Sequence, residues 1–373
     1  MIDESPSVTV IILNYNGLTD TRLCLASVLE SNYQNFLVVV ADNGSREDET
    51  IALKQELRDQ RITWKRFATN LGFAGANNVI IRESTSPYVV LLNNDTIVDK
   101  DWLSNLVDVM EQDMQIAACQ GKILSLQHRT FFDYAGAAGG LMDQLGYPYA
   151  RGRMGFAMEE DINQYNTLAD IFWASGAAVI LRRDTCIKVG LLPEEFFFYH
   201  EETDLCWRLK DAGYRIVFTP KALVYHKGAG SSRSSRRELQ KRIFWVHRNA
   251  LLLIARNMSM TRLWWVLPTR LILDWFSIIY YMTTGKLPFV TSVILAHLSF
   301  AKRTISLIRY RQKRKIPFGL AEKALHPLSI HWDYFIRRKK RYGDLIGQSV
   351  PSKIILYQQA LLYPQSDKSQ SNP

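Results

Sequence analysis

Residues 8–17 read VTVIILNYNG: a β-branched apolar run, Val8–Leu13, breaks into the polar cluster Asn14-Tyr15-Asn16-Gly17. The design returns at 36–45, where FLVVVA gives way to Asp42-Asn43-Gly44-Ser45. It returns again at 88–95, where YVVLL ends in Asn93-Asn94-Asp95. A weaker run, Ile62–Phe67, precedes Asn70-Leu71-Gly72. Helix-compatible stretches lie between these runs: Asp20–Glu30, Asp48–Arg58 and Ala74–Glu83. Near-continuous apolar strands alternating with helices imply an α/β fold, with a mostly parallel sheet covered on both faces. Ligands of open α/β sheets bind at the carboxyl ends of the strands. Asn, Asp and Gly also make ordinary turns, but four polar clusters at four such ends point to the wall of one site.

Outward from this segment the pattern changes twice. Residues from about 115 to 226 are less regular, with a Gly-rich stretch at Tyr134–Gly140 and an aromatic run at Phe196–Tyr199. Thr203–Ala212 reads as a helix closed by Gly213, and Ile216–Thr219 and Ala222–Tyr225 read as short strands. Beyond 237 the pattern is helical. Glu238–Asn257 is amphipathic, Leu263–Met282 is apolar with three Trp, and Leu287–Phe300 is a shorter apolar stretch. Pro268, Arg270 and Asp274 interrupt the longer of these, which disfavours a simple membrane span. A catalytic unit is therefore expected over 1–236, a helical basic and aromatic region over 237–363, and a disordered tail over 364–373.

Composition narrows the class. The chain has 373 residues, 47% of them hydrophobic, which excludes a disordered or low-complexity protein. Four cysteines stand far apart with no CxxC pair, which excludes a disulfide scaffold or a structural zinc site. The start MIDESPSVTV has no basic n-region, so the cytosol is the expected compartment. Charge is uneven: residues 1–226 hold 20 Lys and Arg against 30 Asp and Glu, and residues 227–373 hold 26 against 6. A net +20 over the second part asks for an anionic partner. Apolar aromatic helices bordered by Lys302-Arg303, Arg311–Lys315 and Arg337–Arg341 suit an anionic membrane surface. Packing on the core with a solvated basic face is the alternative. No nucleic acid is expected, because the aromatics are bunched inside apolar stretches rather than interleaved with basic residues.

The chemistry must come from carboxylates, amides and His. No GxGxxG follows Val8–Leu13, and neither a GxxxxGK[ST] loop nor a GxSxG elbow is present. Asp95 ends a buried strand, where a carboxylate holds a divalent ion that bridges a diphosphate. Glu201, Glu202 and Asp204 crowd a helix start. Capping is one reading; a general base, its pKa raised by the preceding aromatics, is the other. His226, before Lys227 and a Gly/Ser loop reaching Arg233, suits a metal or phosphate site.

Taken in order, VIILNYNG, VVVADNGS, NLGFAGANN, LLNND, FWASGAAVILRR, FFFYHEETDLCWRLKDAGY and VYHKGAGSS resemble the family-2 glycosyltransferases with the GT-A fold, closest to a bacterial rhamnosyltransferase-like branch. The resemblance covers about residues 8–250. It implies a Rossmann-like, mostly parallel sheet flanked by helices, and inverting transfer from a nucleotide diphosphate sugar to a glycan or lipid-linked oligosaccharide acceptor. It implies Asn14, Asn16, Asp42, Asn43, Asn70, Gly72 and Asn77 on the nucleotide side, with Asn94, Lys227 and Arg233 near the diphosphate and Trp173 beside the donor sugar. It implies Asp95 and His226 as ligands of Mg²⁺ or Mn²⁺, Glu202 as the catalytic base and Asp204 as its reserve. The family's Asp-x-Asp motif begins with Asn93 here, and its Glu-Asp pair is Glu201-Glu202. The branch resemblance implies dTDP-L-rhamnose as the donor, used in surface polysaccharide synthesis at the inner face of the cell membrane, with galactose, N-acetylglucosamine or another sugar on UDP as the alternatives. A sugar nucleotidyltransferase would carry a basic Gly-rich loop after the first strand, where NYNG stands. A non-catalytic glycan- or nucleic-acid-binding paralogue is the remaining alternative.

Overall fold

The computed structural model describes residues 5–228 and 235–356. Its first quarter is a strand–helix alternation: β1 (Val8–Asn14), α1 (Leu18–Leu29), β2 (Phe36–Asp42), α2 (Glu49–Glu56), β3 (Ile62–Arg66), α3 (Gly72–Glu83) and β4 (Tyr88–Asn93). These four strands pair in parallel in the order β4-β1-β2-β3. Successive residues of β1 feed opposite faces of the sheet, as strand geometry dictates. Val8, Val10 and Ile12 pack in one core with Cys24, Leu25 and Val28 of α1. Ile11 packs in another with Ala74, Ile80 and Ile81 of α3. The register sets Asn14 beside Asp42, and Leu13 beside Asn93. The strand-end polar residues are therefore neighbours by construction.

The next segment widens the sheet: β5 (Thr96–Val98), α4 (Trp102–Gln112) and β6 (Ile116–Ser125). Five short strands follow, β7 (Gly140–Met142), β8 (Pro148–Ala150), β9 (Arg153–Met154), β10 (Ala157–Glu159) and β11 (Ala169–Asp170). Then come β12 (Ala178–Arg182), α5 (Arg183–Val189), α6 (Glu201–Asp211) and β13 (Arg215–His226). The main sheet runs β11-β13-β6-β12-β4-β1-β2-β3, with β5 on β13. Antiparallel β12 joins the β1–β4 half to β6. The two short strands expected at 216–225 are one strand, whose register against β6 shifts between Phe218 and Leu223, around Pro220. Proline has no N–H to give the ladder, and the bulge absorbs it.

The C-terminal region is helical, with α7 (Arg236–Asn257), α8 (Met260–Thr283), α9 (Leu287–Ala301) and α10 (Thr304–Lys313), then α11 (Tyr342–Ile346) and β14 (Ile354–Leu356). Packing runs straight across position 236. Leu251–Ile254 of α7 lie in the same core as Phe196, Leu205, Trp207 and Leu209, and β14 pairs with β10 in a second sheet with β9, β8 and β7. The expected tail at 364–373 lies outside the described residues.

Charge is also buried at this junction. Asp204 is wholly buried and accepts from Arg208 Nε at 2.7 Å, Arg256 Nε at 2.9 Å and Asn257 Nδ2 at 2.7 Å. Burial works to raise its pKa, but the Arg256 and Arg208 charges outweigh it and hold the carboxyl well below the usual range. The expected reserve base is thus an ionised structural acid.

Asp204→Asn leaves the buried Arg208 guanidinium without its carboxylate and Arg256 with Glu195 alone, and should cost about 3–5 kcal/mol in urea unfolding. Because the native pKa is depressed, this stabilisation is fully present above about pH 4, the ordinary carboxylate value, and is lost only as pH falls below it. A loss under about 0.5 kcal/mol, which is within surface-substitution range, would contradict the assignment.

Candidate active site

The loop after β1 is held by its own amides. Asn14 is buried and donates Nδ2 to Asp42 Oδ1 at 3.1 Å, while its Oδ1 accepts from Thr21 Oγ1 at 2.9 Å and Gly17 N at 3.2 Å. Asn94 Nδ2 donates to the same Thr21 hydroxyl at 2.9 Å. Asn16, exposed and at positive φ, takes the backbone N–H of Arg46 on its Oδ1 at 3.1 Å. One network therefore ties the ends of β1, β2 and β4. Ser45 Oγ also donates to Asp42 Oδ1. The other Asp42 oxygen, Oδ2, is buried, makes no hydrogen bond and lies 3.7 Å from Arg66 Nε. A buried orphan acceptor of this kind is ready for a ligand N–H or O–H.

A second set of amides fixes the turn before α3. Asn43 Nδ2 donates to Asn70 Oδ1 at 3.2 Å and Gly72 O at 3.1 Å, and Asn43 Oδ1 accepts from Leu71 N at 2.9 Å. Asn70 Oδ1 also accepts from Gly72 N at 2.8 Å. Gly72 sits at φ +73°, and a Cβ there would lie 2.6 Å from Phe197 O, so both conformation and space demand glycine.

At the junction of β4 and β13, His226 stands between two acids. Its Nδ1 is 2.8 Å from Asp133 Oδ1 and its Nε2 3.2 Å from Asp95 Oδ1; Asn93 Nδ2 is 3.4 Å from the same Nε2. Burial works to lower the His226 pKa, but the Asp95 and Asp133 charges overcome it and raise it well above the usual value. Burial likewise works to raise Asp95, and His226 holds it low. Asp133 on Nδ1 leaves Nε2 aimed at the Asp95 side, the carboxylate–histidine arrangement that orients a metal-binding imidazole. A hard divalent ion keeps waters and takes substrate phosphates beside one or two protein ligands, so the Asp95 carboxylate fits Mg²⁺ or Mn²⁺, and His226 Nε2, here paired with that carboxylate, would join it only on giving up its proton. No group of three or more His, Cys, Asp or Glu among the described residues holds a metal unaided. Lys227 Nζ donates to both Asp20 oxygens, at 2.9 and 3.1 Å, closing the chain after β13 onto α1.

Glu201 and Glu202 stand in the first turn of α6, two residues earlier than the helix expected at Thr203. The turn that delivers them has Phe197, Tyr199 and His200 at φ 64°, 74° and 71°. Non-glycine residues at such angles cost about 1–3 kcal/mol each, and α7 holds them there. Asn249 Nδ2 donates to the carbonyls of Phe196, Phe198 and Tyr199 at 2.8–2.9 Å, and Arg248 Nη2 to Glu195 O and Phe196 O at 3.0 and 2.9 Å. The turn in return places Phe197 O on Phe73 N at 2.9 Å, at the start of α3. Glu202 is partly exposed, and burial lifts its carboxyl to about 7. Glu201 is buried with Oε2 unpartnered; burial and the Glu202 charge raise it well above the usual carboxylate range. The Glu202 Cβ lies 3.8 Å from the Cβ position of Gly176, and the next residue, Ala177, accepts from Asn93 N at 2.9 Å. One short segment, 176–177, thus connects the acid pair to the Asn93–Asp95 strand end.

Not every expected residue faces this network. Asn77 is buried on α3, donates Nδ2 to Phe73 O at 3.0 Å and leaves Oδ1 without a hydrogen bond. Trp173 is buried against Gly140, with Nε1 donating to Leu141 O at 2.8 Å, so its indole is a packing element instead of an open sugar platform. Arg233 lies outside the described residues. Asp133, Thr21 and Asn249 belong to the network but were not anticipated, whereas Ser45 lies in one of the expected strand-end clusters. Asp133 precedes a Gly-rich turn and carries no motif; Asn249 lies mid-helix, where an amide on an otherwise apolar face was the available signal.

Residues 9–176 match the model described as Glycosyl transferase family 2. The uncharacterized protein y4gI of Sinorhizobium fredii is 27% identical over 238 residues, which is 62% of this chain and 25% of that protein. The O-antigen biosynthesis protein RfbC of Myxococcus xanthus is 26% identical over 236 residues, which is 62% of this chain and 18% of that protein. The matched part therefore spans a quarter or less of these two relatives. Among solved structures, GalNAc-T7 with UDP, GalNAc and Mn²⁺ superposes with a TM-score of 0.54 at 13% identity, over 84% of this chain and 59% of that one. That likeness shows the fold, which is GT-A.

Asn249→Ala removes the donor that holds three carbonyls of the 196–199 turn. Hydrogen exchange at amides 197–204 should accelerate, with α1 and α3 unchanged, as for a local opening. Unchanged protection at 197–204 would show that α7 does not hold the turn.

Proposed function

From the match of residues 9–176 to the family-2 glycosyl transferase model, we propose that the chain transfers a sugar, with inversion, from a nucleotide diphosphate donor to a hydroxyl of a glycan or lipid-linked acceptor in surface polysaccharide synthesis. The observation that carries this reading is the pair of carboxyls at the start of α6, with Glu202 poised near neutrality and joined through Gly176–Ala177 to the Asn93–Asp95 strand end.

The roles divide along the network. The free Asp42 oxygen, with Asn14, Asn16, Asn43, Asn70 and Gly72, takes the base and ribose. Asp95 and His226 would hold a divalent cation, with Asn94 beside them, and Lys227 would add positive charge. When bound, such a cation would supply charge neutralisation at the leaving diphosphate. Glu202 accepts the proton of an acceptor hydroxyl; that oxygen bonds to the anomeric carbon from the face opposite the diphosphate, and the bond to the diphosphate oxygen breaks. A base with a pKa near the working pH is the efficient choice. Burial and the Glu202 charge raise the Glu201 carboxyl, which disfavours a second negative charge beside Glu202.

We take dTDP-L-rhamnose as the donor, on the resemblance to the rhamnosyltransferase-like branch and the similarity to an O-antigen biosynthesis protein. We place the chain peripherally on the inner face of the cell membrane, where lipid-linked acceptors reside. Among the described residues no helix is long and apolar enough to cross a membrane.

Glu202→Gln should lower transfer by about 10²–10⁴-fold, while nucleotide sugars in a thermal-shift panel with Mn²⁺ still raise the melting temperature. Full turnover in that variant would remove Glu202 from the role. In the wild type, kcat/KM should climb with pH and level off above about 7, since only the deprotonated base works. A profile flat from pH 5 to 8 would contradict the assignment.

A further inference from the structure

The geometry points to α8 as an in-plane docking element for an anionic phospholipid surface. This inference deepens the proposed function by naming the face that meets the membrane, and it rests on that reading only for the acceptor's location. Helix α8 is 24 residues long, about 36 Å at 1.5 Å per residue. Its buried positions are Val266, Arg270, Asp274, Ile278 and Tyr281, one stripe at helical spacing. The two charges within its apolar stretch therefore point inward. Arg270 Nη1 donates to Leu145 O and Gly146 O at 3.0 and 3.2 Å, and its guanidinium lies 3.6 Å from the Tyr147 ring centre. Asp274 bridges His247 Nδ1 at 2.9 Å and His297 Nε2 at 2.8 Å, tying α8 to α7 and α9.

What remains outside is apolar. Trp264 is 76% exposed, Trp275 61% and Phe276 63%, with Trp265, Ile272 and Ile279 exposed on the same helix. Neighbouring α9 exposes Leu287, Ile294, Leu295 and Leu298. The turn at 332–336 exposes Trp332, Phe335 and Ile336 directly before exposed Arg337 and Arg338. An exposed apolar helix face of this kind, beside a second exposed apolar helix, marks an interaction site. Tryptophan, with an apolar body and one N–H, favours the zone between lipid chains and headgroups. A helix with one polar face fixed to protein and one bare apolar face lies in that zone rather than across it. The charge selects the lipid and disfavours self-association: residues 227–373 carry net +20, which is attracted to anionic headgroups and repels a second copy.

The test is flotation of the full chain with phosphatidylcholine vesicles containing or lacking phosphatidylglycerol, at low and high salt. The intact chain should float with the anionic vesicles and retain part of its binding at high salt, through the apolar stripe. Trp275→Glu with Phe276→Glu should cut the bound fraction by about tenfold or more, with the thermal shift by nucleotide sugar unchanged. No flotation at low salt, binding abolished by salt and indifferent to the double variant, or a dimer that the double variant dissociates without vesicle binding would each overturn the inference. Flotation lost with donor binding kept sinks this inference alone. Donor binding absent with flotation kept sinks the proposed function alone.

Discussion

The acid side of the candidate active site leans on the contact between α7 and the start of α6. Three carboxyls within four residues, Glu201, Glu202 and Asp204, would repel one another and drift toward solvent if the helix start were free. The fold treats them differently. Asp204 is ionised and neutralised by Arg208 and Arg256, the latter from α7. Glu201 is buried, with burial and the Glu202 charge raising its carboxyl well above the usual range, and Glu202 is left partly open with its carboxyl lifted to about 7. The strained backbone of Phe197, Tyr199 and His200 aims the pair, and Asn249 and Arg248 hold that backbone from α7. The helical region is therefore part of the acid site's support as well as the carrier of the exposed aromatic stripe.

The donor side follows a different principle. Parallel register alone brings Asn14 beside Asp42 and Leu13 beside Asn93. Buried amides then stiffen the loops without adding charge, which leaves the few carboxylates to do selective work. One Asp42 oxygen is committed to Asn14 and Ser45, and the other makes no hydrogen bond and lies 3.7 Å from Arg66 Nε. One His226 nitrogen is committed to Asp133 and the other turns toward Asp95. In each case half of a side chain is spent on orientation and half is left for a ligand.

Much of this was legible in the sequence. The β-branched runs and the polar clusters closing them gave the strands, the parallel half of the sheet and the loops that line it. What stayed hidden depends on distant partners. Left-handed Phe197, Tyr199 and His200 run against local preference, so a helix starting at Glu201 could not be read without Asn249, fifty residues on. Pro220 reads as the end of a strand, yet a bulge carries β13 through it. Trp173 is expected beside the donor sugar by resemblance, and in the fold its ring packs in a slot that Gly140 leaves open. Arg270 and Asp274 read as interruptions of an apolar helix; spaced four apart and turned inward, they instead leave its other face bare.

The most direct measurement is a crystal structure of the chain with dTDP or UDP and Mn²⁺. The account predicts the base and ribose against Asp42 and Asn43, the diphosphate and metal at Asp95 and His226 beside Lys227, and Glu202 facing the space beyond the terminal phosphate. A nucleotide bound elsewhere on the sheet, or a metal bound with Asp95 and His226 still paired to each other, would contradict it.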